Sequence, residues 1–182
     1  MASRHECESS DSRPVASERS LALPGIFLGL GLGGFVDGIL LHQVLQWHHL
    51  RTGDGTLGNR SMKTVGGLEA NTFADGMFHV ATLALTVFGL FWLWSIVRAN
   101  DGMRSWFELI GLVLAGWGIF NLVEGLVDHH ILGIHHVRDD IGAPLVWDLG
   151  FLAIGAALVA VGFGIYARHV PESARGRSRW DV

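Results

Sequence analysis

Four apolar runs, near residues 21–47, 75–97, 106–128 and 144–167, each have the length of a bilayer-crossing helix, for which about 20 residues suffice. A helix satisfies its own backbone hydrogen bonds, which lipid cannot do for it. The chain is therefore expected to be all-α: an integral membrane four-helix bundle occupying residues 21–167. Composition agrees. Only 16% of the 182 residues are charged and 49% are hydrophobic, whereas water-soluble domains carry about 25% charged residues. The charges fall mostly in the tails and loops; residues 1–20 and 168–182 are expected to be cytoplasmic tails, the first twenty residues and the last dozen or so disordered. A cleaved secretory signal is not expected. The first apolar run is too long, it contains Asp37 and His42, and no small-residue cleavage site follows it.

Several function classes are unsupported. The single cysteine, Cys7, rules out an internal disulfide or a CxxC metal site. A net charge of -4 without a basic face gives no reason to expect nucleic-acid binding. No GxSxG or HExxH string is present, so nucleophilic or zincin-type catalysis has no motif and no residue is assigned a catalytic role. The glycine-rich string at residues 29–34 lies inside an apolar run and suits close helix packing rather than phosphate binding.

The run ends carry a pattern that packing does not explain. Residues 34–50 read GFVDGILLHQVLQWHHL and residues 121–137 read NLVEGLVDHHILGIHHV. Aligned without a gap, Asp37 falls on Glu124, Gly38 on Gly125, His42 on His129, and His48-His49 on His135-His136. A weaker match follows, with Asp75 on Asp148, Phe78 on Phe151 and Gly89 on Gly162, although His79 meets Leu152. Two pseudo-repeated helical hairpins are thus expected, related by an axis along the membrane normal.

This arrangement collects eight of the ten histidines at one end of the bundle. Arginines and lysines orient it: nine lie on the side of the tails and the 98–105 loop, and four on the other. The positive-inside rule then puts the tails in the cytoplasm and the histidine cluster outside it. Deep carboxylates cost about 2.5–3.5 kcal/mol each on insertion scales, so they need partners. A transition-metal ion bound by mixed imidazole and carboxylate donors is such a partner, and copper, iron or zinc suits that set. The expected ligands are Asp37, His42, His79, Glu124, Asp128 and His129. An outer rim is expected from Asp75, His48, His49, His130, His135, His136 and Asp148. His48 falls in the rim because eleven residues of unbroken helix separate it from Asp37 by about 16 Å.

Two other functions remain open on sequence. His42 and His129 are placed to be the axial ligands of one haem, which would make the chain a b-type cytochrome. Buried acids and histidines also suit proton- or metal-coupled transport, although the second and fourth runs are nearly devoid of polar residues in their inner halves. A paired-carboxylate dinuclear centre is a further option, without the ExxH spacing typical of such bundles.

The strings GFVDGILLHQVLQWHHL, DGMFHVATL and NLVEGLVDHHILGIHHVRDD resemble a bacterial membrane-protein family, domain of unknown function 2243. The resemblance spans roughly residues 22–167. It implies a multi-pass protein of the bacterial cytoplasmic membrane, with the lipid bilayer as its surroundings. It assigns no activity and no functional residues. Genes of that family tend to neighbour one for a copper-related assembly protein of haem–copper oxidases. Respiratory-oxidase assembly components are the partners expected on that basis, and a second copy of this chain is the other partner expected.

Overall fold

The computed structural model describes residues 20–53, 55, 58, 60–100, 102–103 and 105–170. The two expected tails lie almost wholly outside these residues. Four helices are long and apolar enough to cross a membrane, and no strand occurs among the described residues.

Helix α1 covers Ala22–Asp37 and runs on as a π-helical segment, Gly38–Val44. Helix α2 covers Val65–Ala99. Helix α3 covers Trp106–Glu124 and likewise runs on as a π-helical segment, Gly125–Ile131. A short 3₁₀ turn, Asp139–Ile141, precedes α4 at Leu145–His169. Helix α2 starts ten residues before the apolar run that signals it. Thr64 caps this early start, its hydroxyl accepting from the Gly67 amide at 3.2 Å.

Helices α1 and α3 form the central pair, with α2 packed on α1 and α4 packed on α3. Among the described residues, α2 and α4 do not touch each other. The central pair is close because glycine permits it. A Cβ on Gly29 would sit 2.2 Å from the Val113 carbonyl oxygen, and one on Gly116 would sit 2.3 Å from that of Ile26. Such small-residue contact lets helix backbones meet where burial of apolar surface gives no drive. The outer faces of α2 and α4 expose Phe73, Val80, Phe88, Phe91, Leu149, Ile154 and Val161, a surface suited to acyl chains.

The two ends of the bundle differ. Towards the start of α1 and the end of α2, the interior is mainly apolar, formed by Leu21, Leu93, Ile96, Leu109 and Leu112, with Glu108 of α3 also buried. Towards the π-helical segments it is polar, and here the buried histidines collect with Asp37, Asp75, Glu124 and Asp148.

Candidate metal centre

The π-helical segments decide where the histidines go. Each widens its helix before the chain reverses. Gln46 then takes φ 50° and Gly133 takes φ 57°, both left-handed. For Gln46 this conformation is costly. The backbone around it is held by a bond from the Trp47 amide to the Leu41 carbonyl at 3.0 Å. The Ile134 amide bonds the Asp128 carbonyl in the same way at 2.8 Å. After these reversals the chain re-enters the bundle, carrying His48 and His135 to its axis.

There the two rings stack, with centroids 4.6 Å apart and planes 9° from parallel. His42 lies 4.5 Å from His48, and His129 lies 4.8 Å from His135. All four histidines are buried, His42 and His135 completely. Asp37 and Glu124 are buried beneath them at the helix ends.

Three sets of donor atoms lie within 4.8 Å of one another: His42, His48 and His135; Glu124, His129 and His135; Asp37, His42 and Glu124. Together they comprise six residues. The inward atoms have no hydrogen-bond partner: Asp37 Oδ2, both Glu124 carboxylate oxygens, and Nε2 of His42, His48, His129 and His135. Buried polar atoms are ordinarily satisfied. Seven orphans aimed at one place call for a shared partner.

The outward atoms are held. His42 Nδ1 donates to Asp75 Oδ1 at 3.0 Å. His48 Nδ1 donates to the Val137 carbonyl at 3.0 Å, and His135 Nδ1 donates to that of Leu50 at 3.3 Å. A carbonyl can only accept, so Nδ1 carries the proton and Nε2 presents its lone pair. This is how outer partners fix a metal-binding imidazole. His129 Nδ1 lies 3.4 Å from Asp148 Oδ1 but forms no hydrogen bond.

Asp75 and Asp148 serve the outer layer alike. Asp75 also accepts from His49 Nδ1 at 2.6 Å and from the Leu50 amide at 2.8 Å. Asp148 accepts from His136 Nδ1 at 2.7 Å and from the Val137 amide at 2.9 Å. Phe78 stacks on His42, and Phe151 packs tilted against His129.

Burial, and after it the neighbouring imidazole of His135, holds His48 well below the ordinary histidine range. His135 is lowered in the same way, by burial first and then by His129. Both are therefore neutral, the form that ligates metals.

Two of the residues expected as ligands stand apart. His79 Nδ1 donates to the Asp75 carbonyl at 2.8 Å, and the residue contributes nothing to the three donor sets. Asp128 is half-buried and contributes nothing to them either. His130 is exposed, bonding the Gly125 carbonyl at 2.7 Å. His48 and His135, expected on the rim, are carried to the centre by the chain reversals. A signal was available at Gly133, where a glycine just before the second HH pair marks a break in the helix.

Above the cluster sits an aromatic cap. The Arg138 guanidinium lies 4.5 Å from the centre of the Trp47 ring and 5.1 Å from that of Trp147, and it pairs with Asp140 at 2.7 Å. The loop after His49 closes a second side, with the amides of Gly53 and Gly55 bonded to the carbonyls of Ile134 and Gly133 at 2.8 and 3.0 Å.

No curated protein and no solved structure matches this chain. One family model does, over residues 24–169, and its description is that of a predicted membrane protein. That stretch takes in all but the first two residues of the four membrane-length helices and the entire histidine–carboxylate cluster. On that match the chain belongs to the family of predicted membrane proteins designated DUF2243.

Proposed function

We propose that this protein is a membrane metalloprotein whose histidine–carboxylate cluster holds a resident transition-metal centre of copper, iron or zinc. One observation carries the reading. Six buried side chains direct unpartnered donor atoms at one another, while three of the four imidazoles are anchored from behind. Spacing supports it. His42 Nε2 lies 3.4 Å from Asp37 Oδ2, and His135 Nε2 lies 3.4 Å from Glu124 Oε1. Ligands about 2.1 Å from a tetrahedral ion lie about 3.4 Å from one another.

The sealed, preset donors favour a centre that stays in place over one that hands its ion to a partner. Transfer calls for an exposed rim, and the six donors are buried. Haem fits less well. The stacked rings of His48 and His135 lie between His42 and His129, where a porphyrin would need a flat slot. A channel or carrier would need a polar path through the opposite end, where the core is mainly apolar and Glu108 is the buried acid there among the described residues.

The arginine distribution supports cytoplasmic tails and a centre on the extracytoplasmic side of a bacterial inner membrane. From there the resident centre is suited to redox chemistry linked to a respiratory oxidase, in preference to metal handling. The test is elemental analysis with an absorption spectrum of detergent-purified protein. Stoichiometric copper, iron or zinc without a Soret band is the expected result. A Soret band would replace this reading with the cytochrome.

A further inference from the structure

We infer that the centre holds two ions, bridged by the Glu124 carboxylate. The inference rests on the metal reading above and goes beyond it in nuclearity and in the role of each donor. The three donor sets overlap pairwise, each pair sharing one residue: His42, His135 or Glu124. Two ions can occupy two sets at once only if the shared residue can bind both. A neutral imidazole cannot. Its Nε2 has one lone pair, and Nδ1 of both His42 and His135 is already donating to an outer partner. A carboxylate can, through its two oxygens, and both oxygens of Glu124 are buried and unpartnered.

The compatible pair is therefore Asp37, His42 and Glu124 for one ion, and His129, His135 and Glu124 for the other. His48 belongs to neither set. It lies in donor range of both His42 and His135, and its place in the first half of the chain assigns it to the first ion. Each ion then has two imidazoles and a carboxylate from one half of the chain. Bundle proteins with paired ions use bridging carboxylates in the same capacity.

Charge balance points the same way. Four carboxylates, those of Asp37, Asp75, Glu124 and Asp148, are buried within this end of the bundle. Among the described residues, every ion pair they make is with a histidine. Uncompensated buried charge is expensive in so apolar a setting. Two divalent ions would cancel four ionised carboxylates; with one ion, the remainder would have to be met by protons on these carboxylates or on the histidines beside them.

The experiment strips detergent-purified protein with chelator and titrates it with Cu(II), reading bound copper after desalting and the electron paramagnetic resonance spectrum. Two bound equivalents with a half-field signal from neighbouring Cu(II) ions are expected. Glu124→Gln should reduce this to at most one equivalent and abolish the half-field signal. One equivalent in the native protein, with the spectrum of an isolated ion, overturns the two-ion inference and leaves the metal reading standing. No bound copper, together with no iron or zinc in the protein as isolated, overturns both. The native stoichiometry decides the matter even if the variant fails to fold.

Discussion

His48 and His135 are anchored across the bundle by each other's chain segments. His48 donates to the carbonyl of Val137, two residues beyond His135, and His135 donates to the carbonyl of Leu50, two residues beyond His48. The rings between these bonds stack at 4.6 Å. The two chain reversals therefore hold one another in place, and neither imidazole can leave without releasing the other segment. Removing either ring should cost more than one ligand. His48→Ala and His135→Ala are each expected to lower metal affinity by more than tenfold, measured by competition with a chromophoric chelator.

The carboxylates behind the imidazoles should matter less than the imidazoles. Asp75→Asn and Asp148→Asn leave every inward donor in place but weaken what orients His42, His49 and His136. Affinity should fall about 10- to 100-fold, the usual penalty for losing an outer partner. Stoichiometry at saturating metal should be unchanged. If Asp75→Asn abolishes binding outright, Asp75 is itself a ligand.

Acidification should destabilise the chelated, metal-free protein. His48 and His135 are held below the ordinary histidine value of 6.5. Once pH falls below that value, the unfolded chain takes up protons that the folded chain refuses, so stability falls with pH. The contribution is fully present above the unfolded value and is lost as pH drops towards the folded one. Thermal scans in detergent should give a lower melting temperature at about pH 5.5 than at about pH 7.5. His48→Gln should flatten that dependence.

Helix contact through glycine should be testable without touching the centre. Gly116→Val is expected to destabilise strongly, because even its Cβ would strike the Ile26 carbonyl in the adjacent backbone. Gly76→Ala meets nothing within 4 Å. It should be neutral or gain up to about 1 kcal/mol from helix propensity. Equal melting temperatures for the two variants would contradict the α1–α3 packing.

Orientation can be read by labelling. In a Cys7→Ser background, Ser61→Cys lies on the same side as the histidine cluster, and Met103→Cys lies at the other end, between α2 and α3. Ser61→Cys should react with an impermeant maleimide on intact spheroplasts, and Met103→Cys only after lysis. The reverse pattern would move the centre to the cytoplasmic side.

Much of the fold is legible in the chain because lipid leaves few choices. Apolar runs of this length must be helices, and Gly29 and Gly116 mark where two of them touch. The site is legible in composition but not in layout. Asp37 and His42, like Glu124 and His129, are five residues apart, about 140° around an ideal α-helix, and it is the wider π-helical turn that brings His42 over Asp37. His48 and His135 follow a π-helical segment and a left-handed residue, which extrapolation along an ideal helix cannot anticipate. The same limit affects Asp128. Ideal spacing brings it to the face of Glu124, and the wider π-helical turn leaves it half-buried outside the donor sets.

Seven orphaned atoms in one buried cluster call for a shared metal partner. Metal content of the native protein and of His135→Ala, purified in parallel and measured by mass spectrometry of the elements, tests it most directly. The native chain should carry stoichiometric copper, iron or zinc, and the variant should carry markedly less while eluting as the same folded species. A native protein free of metal after reconstitution, or a variant that retains the full complement, would contradict the account.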